Sequence, residues 1–217
     1  MTYHFALTAL TIAATLGPVQ FTPVQHALIR GAFHAAIGLV AATLLLLYPQ
    51  LIVLSVLAAA TIAFLCLEAA RLRTPRLNQY FANWFTPLLR KEEENKLTGS
   101  SYFLIGSLVT ALLFPGDIAL LAILFLSFGD PAASVVGAWK GRIKLWNKTI
   151  EGDIACLVVC LLIGILAAVI LKNPPLLVAI VGAIIATVFQ ALPLRLNDNI
   201  TIPLTSAAGM LATGLFI

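Results

Sequence analysis

The sequence has few charged residues. Only 10% of its 217 residues are Asp, Glu, Lys or Arg, whereas 61% are hydrophobic. Soluble domains carry about 25% charged residues, so this shortage excludes an ordinary water-soluble protein. The mean hydropathy of +1.03 indicates several membrane spans instead. In such a protein the net charge of +4 reflects membrane topology, and no nucleic-acid partner is expected.

Cysteine is also scarce. The three cysteines, Cys66, Cys156 and Cys160, all lie in apolar runs. Cys156 and Cys160 are four residues apart and share a helix face, but no histidine or acid beside them completes a metal-binding set. The pattern favours small core residues and excludes a disulfide framework.

Eight apolar runs are long enough to be considered as membrane spans. They cover approximately residues 3–17, 31–48, 51–70, 100–114, 117–138, 153–171, 175–192 and 201–217. The first run lacks the basic region of a signal peptide before it, so it is expected to be retained, with seven spans if it does not cross. The sequence therefore predicts an all-α, polytopic integral membrane protein in which residues 1–217 form a single transmembrane domain.

The basic residues are distributed unequally between the two sides of this arrangement. Twelve of the 13 fall in loops on one side, and Lys172 alone lies on the other. The positive-inside rule places the basic loops in the cytoplasm. Of the acids, only Asp117 lies on the far side. We therefore expect a bacterial or archaeal cell membrane, or an organellar membrane, with any active site facing the cytoplasm.

The cytoplasmic loop of residues 71–99 contains an amphipathic pattern. Its apolar residues recur at helical spacing, and they are Leu77, Phe81, Trp84, Phe85 and Leu88. This spacing predicts a helix that lies in the membrane interface. Such a helix is either an anchor or a lateral lid over a lipid substrate.

Asp130 follows an almost wholly apolar stretch at predicted membrane depth. An aspartate at the centre of a bilayer costs about 2.5–3.5 kcal/mol on insertion scales, so it indicates a functional site. Pro131 has no N–H and leaves the carbonyl of Ser127 without its helical partner. The sequence therefore predicts a broken helix that carries a site for a cation or a polar substrate. A buried hydrogen bond between helices is the alternative.

The cytoplasmic loop of residues 139–152 has features of a phosphate-binding loop. Gly141 and Gly152 allow the backbone to approach an anion closely. Lys148 and Thr149 precede Glu151 at the start of the next span, where free helix N–H groups favour phosphate. The spacing does not match the GxxxxGK[ST] phosphate loop. A solvated basic loop that only sets topology is the alternative.

Two further polar clusters fall on the same side. Asn197, Asp198 and Asn199 offer oxygen ligands suited to Mg²⁺, or form a helix cap. Arg30 and His34 are four residues apart on one helix face, where Arg30 is suited to phosphate and His34 to packing. Phosphoryl transfer around Mg²⁺ requires carboxylates, cations and a helix N-terminus close to the phosphates. The clusters on this side of the membrane supply these groups.

In their order and spacing these segments resemble the CTP-dependent lipid-alcohol kinases, the group of dolichol kinase, phytol kinase and the CTP-using diacylglycerol kinase. The matching segments are Gly129–Gly137, Gly141–Arg142, Lys148–Gly152 and Asp198–Leu204. Upstream matches are Arg30 with His34, Glu68 with Arg71, and Arg90 with Glu93 or Glu94 before Thr98–Gly99. The resemblance covers most of the chain from Arg30 onward.

The resemblance implies a membrane kinase that moves the γ-phosphate of CTP to an isoprenoid alcohol, such as phytol, a polyprenol or dolichol, or to diacylglycerol. The implied catalytic residues are Asp130, Lys148, Glu151 and Asp198, with Asp130 and Asp198 also binding Mg²⁺. The implied nucleotide- and phosphate-binding residues are Gly129, Ser134, Lys140, Gly141, Arg142, Thr149, Gly152, Asn199 and Arg30. The compact chain favours isoprenoid alcohols as acceptors. The general base and the oligomeric state stay open.

The chain departs from the family pattern at three positions. Gly31 stands where the family usually has Lys, Gln190 where it has Glu, and Asn197 where it has a second acid. Asp198 is therefore the only acid of its cluster. Part of the chain also resembles phosphatidate cytidylyltransferase, but it lacks that enzyme's Gly-His-Gly-Gly turn. A small cation-coupled transporter built around Asp130 is the third alternative, although no internal repeat supports it.

Overall fold

The computed structural model describes residues 21–216, so the predicted first span at 3–17 lies outside the described residues. The helices that follow are α1 Pro23–Leu47, α2 Gln50–Arg73, α3 Pro75–Phe85, α4 Gly99–Leu113, α5 Gly116–Lys140, α6 Ile150–Ile170, α7 Leu176–Ala191 and α8 Asp198–Gly214. A short 3₁₀ helix covers Lys91–Glu93. Between α5 and α6 the strands β1 Lys144–Leu145 and β2 Lys148–Thr149 pair antiparallel.

The helices fit an integral membrane protein, with fewer long spans than the sequence predicts. Within residues 21–216, α1, α2, α5 and α6 are long and apolar enough to cross a membrane. Helices α4 and α7 are apolar but shorter. The all-α, membrane-type architecture is therefore confirmed, whereas the full set of eight spans is not.

Helix α1 begins earlier than the apolar run that predicted it. The Thr22 hydroxyl accepts a hydrogen bond from the N–H of Gln25, whose side chain accepts one from the N–H of Thr22. Pro23 occupies the first turn, where its missing N–H costs nothing. Because these capping contacts start the helix at Pro23, Arg30 lies inside α1 rather than in a preceding loop.

Helix α5 is continuous through Pro131. It is α-helical over Gly116–Leu124, π-helical over Phe125–Gly129 and α-helical again over Asp130–Lys140. The wider π turn lies directly before the proline and accommodates its missing N–H without ending the helix. The predicted break is therefore wrong, and Asp130 is the first residue after the π turn.

Helix α5 also forms the centre of the molecule. In its most apolar stretch 67% of the residues are buried, against 17–22% in the other three long helices. Two glycines bring its neighbours close to the π turn. A Cβ on Gly38 of α1 would overlap the hydroxyl of Ser127, and one on Gly129 would lie 2.5 Å from the sulfur of Cys160 in α6. Helices α1 and α6 therefore pack tightly on either side of the turn that places Asp130.

Candidate active site

Charged side chains of both signs line one cavity, between the ends of α5, α6, α7 and α8. The cavity has a volume of about 290 Å³. Its charged residues are Arg90, Asp130, Lys144, Lys148, Asp153 and Asp198. A second cavity of about 590 Å³ adjoins it and shares Arg90, Asn147, Lys148 and Asp198. We call the first the phosphate cavity and the second the outer cavity.

Asp130 lies between the phosphate cavity and a third cavity. The Asp130 residue is 9% exposed, and it makes no side-chain hydrogen bond or ion pair within residues 21–216. The third cavity has a volume of about 240 Å³ and is also lined by His26, Arg30 and His34. We call it the middle cavity. Since the described part of the chain offers the carboxylate no partner, the alternative of a structural hydrogen bond between helices gains no support.

Lys148 and Asp198 form an ion pair at the edge of the phosphate cavity. Nζ of Lys148 lies 2.9 Å from Oδ2 of Asp198 and also contacts the carbonyl oxygen of Gln190. Asp198 precedes the predicted span at 201–217. Burial raises the pKa of its carboxyl, and Asp130 raises it further, whereas Lys148 lowers it. The pair therefore offers a cation for phosphate and a carboxylate for a metal at one place.

The start of α8 fixes Asp198 toward the cavity. Asn197 caps the helix, and its side-chain oxygen accepts a hydrogen bond of 3.0 Å from the N–H of Asn199. The amide group of Asn199 donates at 2.8 Å to the carbonyl oxygen of Gly99 in α4. Asn199 is therefore buried between α8 and α4 and does not line the phosphate cavity, although the family resemblance implies nucleotide binding there.

The β1–β2 hairpin carries Lys148 to the cavity. Thr149 caps α6, and its hydroxyl accepts a hydrogen bond of 3.2 Å from the N–H of Gly152. A Cβ on Gly141 would collide with the carbonyl oxygen of Gly137, and one on Gly152 would lie 2.7 Å from that of Ala133. These glycines let the hairpin pack directly on α5, so they act through close backbone approach. Thr149, Gly152 and Ser134 line the phosphate cavity.

Four other residues that the resemblance implies lie apart from the phosphate cavity. The carboxylate of Glu151 accepts hydrogen bonds of 3.2 and 3.3 Å from the N–H of Ile143 in the hairpin. Nζ of Lys140 lies 4.1 Å from the ring centre of Trp139. Arg142 is exposed, and Gly129 packs against Cys160. None of these four residues lines the phosphate cavity.

Three cavity residues were missed as site residues by the sequence analysis. Arg90 lines both the phosphate cavity and the outer cavity. Asp153 has both carboxylate oxygens buried, and Gln190 has its side-chain oxygen buried, without a hydrogen-bond partner in the described part of the chain. The spacing of Arg90, Glu93 and Thr98–Gly99 was a usable signal for Arg90. The family's usual Glu at position 190 was a usable signal for Gln190. Asp153 gave none, because its place on the cavity depends on how α6 packs against the other helices.

A buried ion pair holds the segment that carries Arg90. Arg71 and Glu68 are both fully buried, and Nη2 of Arg71 lies 2.8 Å from Oε2 of Glu68. Arg71 also donates at 3.2 Å to the carbonyl oxygen of Glu93 and at 3.1 Å to that of Glu94. The side chain of Glu93 accepts from the N–H of Arg90 at 3.0 Å. The end of α2 therefore positions the backbone around Arg90.

The oxygen atoms around the phosphate cavity fit Mg²⁺ that arrives with a triphosphate. No group of three or more His, Cys, Asp or Glu side chains within residues 21–216 is placed to hold a metal ion alone. Mg²⁺ in phosphate-transferring sites is held by one or two carboxylates together with phosphate oxygens and water. Asp130 and Asp198 supply two carboxylates, and Asp153 and Gln190, which carry unpartnered side-chain oxygens, also line the cavity.

Comparison with known proteins gives relatives at low identity. The chain is 29% identical to an uncharacterised protein of Rickettsia prowazekii, over 81% of this chain and 89% of the relative. It is 30% identical to CTP-dependent diacylglycerol kinase 1 of Saccharomyces cerevisiae, over 62% of this chain. It is 27% identical to CTP-dependent diacylglycerol kinase 1 of Eremothecium gossypii, over 86% of this chain.

The two yeast relatives are longer proteins. The matched region spans about half of the Saccharomyces cerevisiae protein (48%) and 67% of the Eremothecium gossypii protein. No protein-family model and no solved structure matches the chain. The comparisons nevertheless confirm the resemblance inferred from the sequence motifs: the chain is similar to CTP-dependent diacylglycerol kinases.

Proposed function

We propose that this protein is a membrane kinase that transfers the γ-phosphate of CTP to the hydroxyl group of a lipid alcohol. One observation carries the proposal most directly. Asp130, Lys148 and Asp198, which come from three separate segments of the chain, line a single cavity next to membrane-type helices. The homology to CTP-dependent diacylglycerol kinases supports the choice of donor and the lipid nature of the acceptor.

The cations of the phosphate cavity would bind the triphosphate. Lys148, Arg90 and Lys144 provide three positive charges in the lining of the space that the phosphates would fill. Asp130 and Asp198 would hold Mg²⁺, which neutralises phosphate charge when it is bound. The outer cavity, which shares Arg90 and Lys148, has room for the nucleoside. This proposal gives no direct role to the predicted site residues Glu151, Lys140, Arg142, Gly129 and Asn199, because none of them lines the phosphate cavity.

The reaction is a single displacement at phosphorus. The acceptor oxygen forms a bond to the γ-phosphorus, the bond from that phosphorus to the bridging oxygen breaks, and CDP leaves. The hydroxyl proton is released to solvent. Such transfer depends mainly on alignment and on neutralising the charge of the phosphoryl oxygens. Lys148 and Arg90 would supply that neutralisation, and the tight packing of α1 and α6 around the π turn would keep Asp130 in place.

The acceptor is proposed as diacylglycerol first and an isoprenoid alcohol second. The names of the yeast relatives specify diacylglycerol. The preference for phytol or polyprenols rested on chain size alone. We further propose that the site faces the cytoplasm, because twelve of the 13 basic residues fall on one side of the predicted arrangement.

A nucleotide and acceptor panel tests the proposal. The purified protein in lipid-detergent micelles is incubated with Mg²⁺, with CTP, ATP or GTP, and with diacylglycerol, phytol or dolichol. We expect CDP to form from CTP only when one of these lipids is present. Faster turnover of ATP than of CTP would contradict the choice of donor. Release of pyrophosphate in place of CDP would indicate a cytidylyltransferase.

A further inference from the structure

We propose that the lipid acceptor binds in an apolar cavity beneath α3 and presents its hydroxyl group to His34, on the far side of Asp130 from the phosphate cavity. This inference rests on the proposed kinase function. It assigns a binding site and a hydroxyl-binding residue that neither the motifs nor the relatives' names specify.

The cavity beneath α3 is small and almost wholly apolar in its outer part. It has a volume of about 70 Å³. Side chains from α1, α2, α3 and the segment after α3 line it, among them Phe33, Phe64, Leu67, Phe81, Phe85 and Leu88. Ligand pockets of this kind combine apolar walls with a few polar groups at one end. The polar lining here consists of Arg30 and His34 from α1 together with Glu93, Thr98 and Ser100, and of these Arg30 and His34 also line the middle cavity. We call this space the acceptor cavity.

Shared residues join the acceptor cavity to the phosphate cavity. Arg30 and His34 line both the acceptor cavity and the middle cavity. Asp130 and Ser134 line both the middle cavity and the phosphate cavity. The order in space is therefore apolar cavity, His34, Asp130 and then the phosphate-binding cations. A substrate with a hydroxyl group at the end of an apolar chain matches this order.

His34 has the chemistry required at the junction. The residue is 5% exposed, and its ring packs in a tilted arrangement on Phe103, with 5.2 Å between ring centres. Within residues 21–216 its ring nitrogens make no hydrogen bond. A neutral imidazole has one nitrogen that accepts a hydrogen bond, and His34 lines both the acceptor cavity and the middle cavity, where a ligand can reach its ring. The acceptor hydroxyl supplies the missing donor, and its oxygen is then held toward the γ-phosphate.

The small volume indicates which part of the lipid enters. Pockets that enclose a whole drug-sized ligand have volumes of about 300–1,000 Å³, so a cavity of about 70 Å³ admits only the part of the lipid next to the hydroxyl. The rest of the lipid lies outside, along exposed apolar side chains of α3 such as Trp84. Helix α3 therefore acts as the lid of the acceptor cavity rather than only as an anchor.

Filling the acceptor cavity tests its role. Leu88→Trp enlarges a half-buried side chain of the cavity wall, whereas the control Ile62→Trp adds the same group to the outer face of α2, where Ile62 is 62% exposed. We expect Leu88→Trp to raise the KM for diacylglycerol by about tenfold or more, the equivalent of about 1.4 kcal/mol of lost binding, with the KM for CTP unchanged. Ile62→Trp should leave both KM values unchanged. Equal kinetics of the two variants would overturn the assignment.

The role of His34 is tested by replacing its ring while keeping the packing on Phe103. We expect His34→Phe to retain CTP binding and thermal stability but to lower kcat for the lipid, and His34→Gln, which retains an acceptor oxygen, to restore part of it. Normal kcat in His34→Phe would refute the role of His34. If the wild type itself phosphorylates no lipid, the proposed function fails; if the wild type is active and these variants match it, only this inference fails.

A crosslinking measurement on the wild type avoids dependence on folding of the variants. A diacylglycerol analogue with a photoreactive diazirine close to its glycerol group is bound and irradiated. Labelled peptides should contain residues of the acceptor cavity, in particular Phe64 or Phe81 and Phe85. Labelling confined to the outer faces of α6 and α7 would overturn the proposed site.

Discussion

Asp130 is the residue on which the proposed chemistry depends most. Its carboxylate lies between the acceptor side and the phosphate side of the site. Asp130→Asn keeps the size of the side chain and removes the charge needed for Mg²⁺. We expect activity to fall by about two orders of magnitude or more, the loss of a few kcal/mol of transition-state stabilisation. The rate of lipid phosphorylation at saturating CTP and Mg²⁺ measures this loss of activity.

Asp117→Asn is the matched control for this change, because Asp117 lies at the other end of the same helix. It should leave activity unaltered. Both variants should retain the wild-type melting temperature, since Asp130 makes no hydrogen bond or ion pair in the described part of the chain. Near-normal turnover of Asp130→Asn would refute the assignment of the site.

Variants of Lys148 and Lys140 distinguish a lysine that lines the phosphate cavity from a lysine that does not. Lys148 pairs with Asp198 in the phosphate cavity, whereas Lys140 lies over Trp139. Hydrogen bonds to charged groups contribute about 1.5–3 kcal/mol, so Lys148→Met should weaken CTP binding by about 10- to 100-fold. Lys140→Met should have little effect. Isothermal titration with CTP and Mg²⁺ measures the affinity of both variants for CTP. Equal losses of affinity would show that the loop binds phosphate through its overall charge.

At the scale of single elements, the packing around the π turn determines where Asp130 lies. A Cβ on Gly129 would meet the sulfur atoms of Cys160 and Cys156, whereas one on Gly116 of the same helix would meet nothing within 4 Å. Overpacking of this kind costs about 1–3 kcal/mol. We therefore expect Gly129→Ala to lower the melting temperature and Gly116→Ala to leave it unchanged or slightly raised. An unchanged melting temperature in Gly129→Ala, with loss of CTP binding, would restore a nucleotide-binding role for Gly129.

The ion pair of Glu68 and Arg71 fixes the segment that carries Arg90. Arg71→Met leaves the Glu68 carboxylate buried without its cation, and loss of one partner of a buried pair costs about 3–5 kcal/mol. We expect lower stability and faster hydrogen exchange in residues 86–98. Arg73→Met, at an exposed position on the same helix, should change neither. Unaltered exchange in Arg71→Met would show that other contacts hold this segment.

Local sequence signals predicted which segments form helices better than they predicted where each helix begins and ends. Apolar runs located the helices because burial in a membrane requires continuous apolar surface. The start of α1 was placed too late, since hydropathy does not register the capping contacts of Thr22 and Gln25. The prediction of a helix break at Pro131 was wrong, because a proline in the sequence indicates only that one backbone N–H is missing. Whether the helix ends or widens into a π turn depends on packing against Gly38 and Cys160.

For the whole molecule, the site was predictable to the extent that each residue was unusual in its own surroundings. Asp130 stood out as a charge in an apolar run. Asp198 and Lys148 followed from motif order. Neither Asp153 nor Gln190 was predicted as a site residue. Their distinguishing feature is a buried side-chain oxygen without a hydrogen-bond partner, and this feature appears only after α6, α7 and α8 have packed. The acceptor cavity is likewise a product of assembly, since its walls come from four segments.

The position of the transferred phosphate tests the central claim most directly. The purified protein is given diacylglycerol, Mg²⁺ and CTP that carries ³²P at either the α- or the γ-phosphate, and the extracted lipid is counted. The account predicts label in the lipid from γ-labelled CTP only, with the rate of labelling lower by about two orders of magnitude or more in Asp130→Asn. Label in the lipid from α-labelled CTP, or no labelled lipid with any alcohol acceptor, would contradict it.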